Sequence, residues 1–74
     1  MLVIDYKRFG ERVMLARRRK GMTQAEVAAL AGMSRNYLSM IERGAPNPSH
    51  TIIATICSAL DLDWPDDMPV EKET

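Results

Sequence analysis

Closely spaced capping signals in the first half of the chain limit the fold more than any other feature. Thr23 and Glu26 have the spacing of a capping box, in which the threonine hydroxyl accepts a hydrogen bond from a backbone N–H and the glutamate accepts one from the cap amide. Gly32 can take the left-handed conformation that ends a helix, and Ser34 is a good N-cap for the next one. Since only Met33 separates them, the turn between the two helices must be tight.

Caps and apolar spacing predict helices in the rest of the chain as well. Asp5 can cap a first helix, and Asn47 or Ser49 can cap the helix that follows a proline-containing loop. No stretch alternates polar and apolar residues as a half-buried strand does. The sequence therefore predicts an all-α fold, a compact domain of four to five helices. The predicted helices cover about 6–20, 24–32, 35–43 and 50–60, with a short fifth turn at 63–65 capped by Asp63.

The length of the chain allows one small domain. At 74 residues it is about half of a typical domain, which excludes a multi-domain enzyme. We assign residues 1–68 to this domain and expect 69–74 to be a frayed acidic tail, because no partner pattern follows Pro69. Cys57 is the only cysteine, so no intramolecular disulfide can form and a reducing cytoplasm is expected. The apolar runs are too short for a membrane span, and no signal-peptide pattern is present.

Charge is divided unevenly along the chain, although the formal net charge is zero. Up to Gly44, nine lysines and arginines stand against four acids. From Ala45 onward, one lysine stands against six acids. A basic half of this kind suits binding to a polyanion such as a nucleic acid, with the acidic half facing away.

Two short helices joined by a glycine-containing turn form a helix-turn-helix, and the spacing of small and apolar residues agrees with one. Counting Gln24 as the first position, the small Ala28 is fifth and Gly32 is ninth, in the turn. The apolar Leu38 and Ile41 are fifteenth and eighteenth, where they face the core. Together with the capping box, this pattern predicts a helix-turn-helix over about 23–43.

The run from Gly21 to Gly44, followed by Asn47-Pro48-Ser49 and Ala59-Leu60, resembles the Cro/repressor (XRE) family of helix-turn-helix proteins. The resemblance covers about residues 6–64, and a chain this short most resembles phage-type repressors and the controller proteins of restriction-modification systems. It implies a lambda-repressor-like DNA-binding domain. It further implies that the protein dimerises through its C-terminal helices and binds a pseudo-palindromic operator.

The outward side chains of the predicted recognition helix, about 35–43, suit base reading in the major groove. Arg35 can pair bidentately with guanine, and Asn36 can do so with adenine. Ser39 can donate or accept a hydrogen bond at shorter range, and Met40 can offer apolar contact to a thymine methyl group. These four residues are the candidates for sequence specificity.

The resemblance also implies contacts with the DNA backbone. The residues that it places against phosphate are Gln24, Ser34, Arg17, Tyr37, Arg43 and Asn47. Family members commonly pair an arginine late in the first helix with the glutamate that ends the third, and Arg17 and Glu42 match those positions. We expect a partly buried structural ion pair there, and we expect its loss to lower stability more than the loss of an exposed acid.

The leading hypothesis is a sequence-specific transcriptional regulator, a repressor or a repressor and activator, that binds double-stranded DNA as a homodimer. Candidate residues for the dimer interface are Leu60, Leu62, Trp64 and Met68. RNA polymerase or a partner protein could be a further contact of the acidic half. The alternative is an antitoxin-like or other interaction module that needs a partner protein through residues 60–74.

Other functional classes find no support in the sequence. An enzyme is not expected, because no paired acid and base, no nucleophile beside a histidine and no phosphate loop are found. With one histidine and one cysteine, the chain has too few ligands for a zinc site, and no other metal or cofactor is expected. We expect a cytoplasmic, nucleoid-associated protein of a prokaryote or phage, without membrane contact.

Overall fold

The computed structural model describes residues 2–63 and 70–72 of the chain. Four helices form the body of the fold, which confirms the predicted all-α helix-turn-helix class. The helices are α1 (Tyr6–Arg19), α2 (Gln24–Ala31), α3 (Arg35–Glu42) and α4 (His50–Leu60), and two short strands are β1 (Leu2–Ile4) and β2 (Val70–Lys72). The predicted fifth turn falls on residues 64 and 65, outside the described residues, apart from its cap at Asp63.

Each helix begins at a side chain that accepts a hydrogen bond from the first turn. The hydroxyls of Thr23, Ser34 and Ser49 accept from backbone N–H groups three residues further on, at 3.1, 3.0 and 3.2 Å. The Asp5 carboxylate does the same for α1 at 3.1 Å. Because these bonds satisfy N–H groups that have no partner within the helix, local sequence determines where each helix begins.

One apolar cluster holds the four helices together. It is formed by Phe9, Val13, Ala16, Val27, Ala28, Ala31, Leu38, Ile41, Ile53, Ile56, Cys57 and Leu60. Helix α1 packs against α3 and α4, and α2 packs against α3 and α4. The helix-turn-helix therefore lies against a support made of the first and fourth helices. None of the helices in the described ranges has the length and apolar character needed to cross a membrane.

The two strands correct the expectations for the ends of the chain. Strands β1 and β2 pair antiparallel, with Leu2 opposite Lys72, Val3 opposite Glu71 and Ile4 opposite Val70. Residues 70–72 therefore form a strand where a frayed tail was expected, and no local sequence pattern predicts either strand. Three residues are too few to show a period of two, and each strand's partner lies at the other end of the chain. Residues 69, 73 and 74 lie outside the described residues.

Candidate nucleic-acid interface

The turn between α2 and α3 is closed by a glycine in the left-handed conformation. Gly32 has φ of +70° and donates to Ala29 O at 3.3 Å, and Met33 N–H donates to Ala28 O at 2.9 Å. Only Gly32 and Met33 separate the end of α2 from Ser34, the N-cap of α3. Because the turn is so short, the orientation of α3 is determined by α2 and by the core beneath both helices.

Helix α3 has one buried face and one outward face. Leu38 and Ile41 are 0% and 1% exposed, and they anchor the helix to the core. On the opposite side, Arg35 and Asn36 are exposed, and Ser39 and Met40 are half-buried. The four residues predicted to read bases occupy positions i, i+1, i+4 and i+5 of the helix, so their side chains share one face. Asn36 Nδ2 lies 4.0 Å from Met40 Sδ on that face.

A buried carboxylate at the end of α3 joins three helices. The Glu42 side chain is 4% exposed, and its Oε2 accepts from Arg17 Nε at 2.7 Å. Its Oε1 accepts from Arg17 Nη2 at 3.1 Å and from Gln24 Nε2 at 3.0 Å. Arg17 Nη1 also donates to Met22 O at 3.0 Å. We call Arg17, Gln24 and Glu42 the carboxylate cluster. It links α1, the start of α2 and the end of α3.

The arginine of this cluster uses most of its hydrogen-bond donors within the protein. The Arg17 side chain is 12% exposed, and three of its nitrogens already donate to Glu42 and Met22. The hydrogen bond to Glu42 raises the pKa of Arg17, so the guanidinium stays charged. The structure thus brings together the two residues that the resemblance pairs, and it leaves Arg17 with little surface to offer to a phosphate.

The other residues predicted to contact phosphate lie around the ends of α2 and α3. Gln24 is the first residue of α2 and is half-buried. Ser34 is exposed at the N-cap of α3, and Arg43 is exposed at its C-cap. Tyr37 is half-buried and packs against the core, and Asn47 is exposed in the loop before α4. Ser34, Tyr37 and Arg43 thus lie on α3 or at its ends, and Gln24 is joined to the end of α3 through Glu42.

The residues predicted for a dimer interface are placed differently from one another. Leu60 is 2% exposed and belongs to the core, so its side chain is already used within the monomer. Leu62 is half-buried and lines a shallow surface groove beside Leu15. Trp64 and Met68 lie outside the described residues. Of the four, Leu62 is the one that the described structure leaves partly accessible.

Two glycines that sequence analysis did not single out allow α1 to approach the end of α3. A Cβ on Gly10 would lie 2.2 Å from Ile41 O and 2.8 Å from Glu42 O. Gly44 has φ of +75°, and a Cβ there would lie 2.7 Å from Lys7 Cα. The position of Gly10 inside a predicted helix could have indicated this close approach. Glycine is unfavourable in a helix interior, so its presence there suggests that another chain segment packs against it.

Comparison with known families agrees with this arrangement. A family model described as helix-turn-helix matches residues 13–66, which includes α2, α3 and α4. The chain is 43% identical over 56 residues to the uncharacterized HTH-type transcriptional regulator y4dJ of Sinorhizobium fredii, covering 76% of this chain and 73% of that protein.

A phage protein and a solved structure are similar over most of the chain. The ImmF control region 10 kDa protein of Bacillus phage phi105 is 38% identical over 61 residues, covering 82% of this chain and 68% of that protein. The restriction-modification controller protein C.AhdI of Aeromonas hydrophila is 37% identical, with a TM-score of 0.75, and the match covers 80% of this chain and 86% of that one. The residues matched by the family model contain the whole of α3 and all three members of the carboxylate cluster.

Proposed function

Since the chain belongs to the XRE-type helix-turn-helix family of DNA-binding transcriptional regulators and not to an enzyme family, we propose that it binds a pseudo-palindromic operator as a homodimer. Helix α3 would lie in the major groove, and binding would repress a promoter or both repress and activate. The observation that carries the proposal is the outward face of α3, where four polar or adaptable side chains stand opposite a fully buried apolar face.

Base reading is assigned to that outward face. The major groove is wide enough for an α-helix, and each base pair presents a distinct pattern of donors and acceptors there. Arg35 and Asn36 are exposed in the first turn of α3 and have the donors for guanine and adenine. Ser39 and Met40 lie one turn later, where a hydroxyl and a thioether would adapt to a neighbouring base pair.

Backbone contacts are assigned to the side chains that border this face. Ser34, Tyr37, Arg43 and Asn47 would contact phosphates on either side of α3, and Gln24 would do so from the start of α2. Contacts of this kind set the register of a protein on the duplex and carry no sequence information directly. Arg17 contributes mainly by holding Glu42, because most of its donors are already engaged.

Dimerisation would place two α3 helices one DNA turn apart, about 34 Å between half-site centres. Similarity to a restriction-modification controller protein and to a phage control-region protein supports a regulator of this type. We propose Leu62, Trp64 and Met68 for the interface, with Leu60 supporting them from the core. A cytoplasmic, nucleoid-associated location and a contact with RNA polymerase belong to the same proposal.

Selection of bound sequences from a random duplex pool tests the proposal. At about 150 mM salt, non-specific phosphate binding is weakened and specific sites are favoured. We expect recovery of an inverted repeat with half-sites one helical turn apart. Recovery of a single unrepeated site would contradict the homodimer. Recovery of nothing above background would favour the alternative, a module that needs a partner protein through residues 60–74.

Alanine variants separate base reading from backbone contact. Arg35→Ala should weaken binding to the selected site by about 1–3 kcal/mol and relax specificity at one position. Arg43→Ala should weaken binding to all duplexes similarly and reduce the salt slope by about one. Arg19→Ala, an exposed arginine at the end of α1, is the matched control. Equal losses on random and selected DNA for Arg35→Ala would reassign Arg35 to phosphate contact.

A further inference from the structure

We propose that Glu42 is a positioning residue for DNA binding, because it orients the Gln24 amide so that the side chain offers an N–H group to a phosphate. This inference rests on the proposed DNA-binding function. It assigns to the buried carboxylate a role beyond its ion pair with Arg17. The observation that carries it is the hydrogen bond of 3.0 Å between Gln24 Nε2 and Glu42 Oε1.

The chemistry of the two groups determines which way the Gln24 amide faces. An ionised carboxylate can only accept hydrogen bonds, so the Gln24 atom that contacts Glu42 must be the NH₂ nitrogen. The amide then keeps one N–H group and its carbonyl oxygen for other partners. A phosphate oxygen of DNA also only accepts, so it can be bound only through the remaining N–H group.

The carboxylate itself is firmly held. Glu42 is 4% exposed at the side chain, and both of its oxygens accept from Arg17, at 2.7 and 3.1 Å. Arg17 is in turn tied to Met22 O at 3.0 Å, just before the cap of α2. The acceptor for Gln24 is therefore attached to two other segments of the fold and has little freedom to move.

The location of Gln24 favours an anion close to its amide. Gln24 is the first residue of α2, and the first N–H groups of a helix have no partner within the helix. These groups and the positive end of the helix dipole attract a phosphate. The oriented side-chain N–H group would add to backbone N–H groups that the helix already provides.

Without Glu42, the Gln24 amide would sample both orientations. One of them would turn its carbonyl oxygen toward the phosphate, which cannot donate a hydrogen bond. Ordering the side chain on binding would also carry an entropic cost that Glu42 removes in the free protein. We therefore expect the loss of this orientation to weaken DNA binding without altering the number of charges at the interface.

A double-mutant cycle measures this coupling. The probe is a fluorescent 30-base-pair duplex of random sequence at about 50 mM salt, with binding followed by anisotropy. Gln24→Met should weaken binding about fivefold, because it removes one hydrogen bond from an uncharged side chain to a phosphate. It should leave the salt slope unchanged, because no charge is removed. In Glu42→Gln, the charged Arg17 should donate to the one oxygen that the new side chain keeps, so that the new NH₂ group faces Gln24. The Gln24 amide would then turn its carbonyl oxygen toward residue 42. Since this change also removes a negative charge in both backgrounds, the coupling is read from their difference. We expect Glu42→Gln to weaken binding about threefold more in the wild type than when Gln24 is already methionine.

The outcomes distinguish the inference from the proposed function. Equal effects of Glu42→Gln in the two backgrounds would overturn the positioning role and leave the DNA-binding proposal in place. A wild-type protein that bound no duplex at this salt concentration would overturn both.

A second variant tests the inference without disturbing the buried charge. Gln24→Asn keeps the amide but shortens the side chain by one methylene, so it no longer reaches Glu42. We expect it to bind DNA as weakly as Gln24→Met, with a thermal unfolding midpoint close to that of the wild type.

Nuclear magnetic resonance of the free wild-type protein tests the orientation directly: the two side-chain NH₂ signals of Gln24 should be well dispersed and should show an ordered side chain. Wild-type affinity in Gln24→Asn, or an averaged NH₂ signal, would overturn the inference.

Discussion

At the scale of a single residue, Gly10 must be glycine for a reason that lies outside its own helix. Glycine in a helix interior costs about 1 kcal/mol relative to alanine, so a local argument predicts that Gly10→Ala stabilises α1. The structure predicts the opposite, because a Cβ at this position would lie 2.2 Å from the backbone oxygen of Ile41. The neighbouring atoms are backbone and cannot move aside by changing a rotamer.

We expect Gly10→Ala to lower the free energy of unfolding by about 3 kcal/mol, the cost of overpacking at a backbone contact. Urea unfolding followed by circular dichroism measures the change. Gly32→Ala is the matched control, because no atom lies within 4 Å of its added Cβ and only the positive φ opposes it. That variant should lose about 1 kcal/mol. A Gly10→Ala protein as stable as the wild type would contradict the close approach of α1 to α3.

At the scale of a secondary-structure element, the capping box makes the start of α2 sensitive to pH. Thr23 N–H donates to Glu26 Oε1 at 2.8 Å, and Glu26 N–H donates to Thr23 Oγ1 at 3.1 Å. Hydrogen bonding from the Thr23 backbone lowers the pKa of Glu26 from its ordinary value of 4.5. The folded protein therefore favours the ionised carboxylate, and the resulting stabilisation is present above pH 4.5 and lost as the pH falls through the lowered pKa.

We expect the stability difference between the wild type and Glu26→Ala to be constant from pH 7 to about pH 5 and to shrink in more acid solution. Unfolding free energies measured from pH 7 to pH 3 test this. Glu26→Gln serves as the control, because its amide oxygen can still accept from Thr23 N–H but does not titrate. The difference between Glu26→Gln and Glu26→Ala should not change with pH. A wild-type advantage that grew on acidification would contradict the hydrogen bonding described for the capping box.

At the scale of the whole molecule, the β1–β2 ribbon connects the two ends of the chain. Residues 2–4 pair with residues 70–72, so the segment before α1 and the acidic segment after α4 are held together. A two-stranded ribbon has little stability of its own and depends on the body to which it is attached. The ribbon should therefore open more readily than the helical core, and removing one strand should release the other.

Hydrogen exchange of a chain that lacks residues 70–74 tests the ribbon. In the full chain, we expect at least one amide of β1 to exchange more slowly than an unpaired backbone amide. In the shortened chain, this protection should be lost, whereas core amides of α1 and α4 should keep their exchange rates. Fast exchange throughout β1 in the full chain would show that the ends are unpaired in solution.

Much of the helix-turn-helix could be predicted from the sequence because the relevant interactions are local. Asp5, Thr23, Ser34 and Ser49 each cap a helix through a bond that spans three residues, and Gly32 ends α2 through its own backbone conformation. The spacing of Leu38 and Ile41 likewise determines which side of α3 faces the core. The outward position of Arg35 and Asn36 follows from that same spacing.

The features that only the tertiary structure decided depend on residues far apart in the chain. The amide of Gln24 meets Glu42 because the core brings the start of α2 to the end of α3, and no local pattern encodes that distance. Leu60 is buried within the monomer, although its spacing alone left a role between subunits open. The strand at residues 70–72 exists through pairing with residues 2–4. The sequence thus determines where helices begin and which faces are apolar, whereas contacts across the fold decide which side chains remain for DNA or a partner.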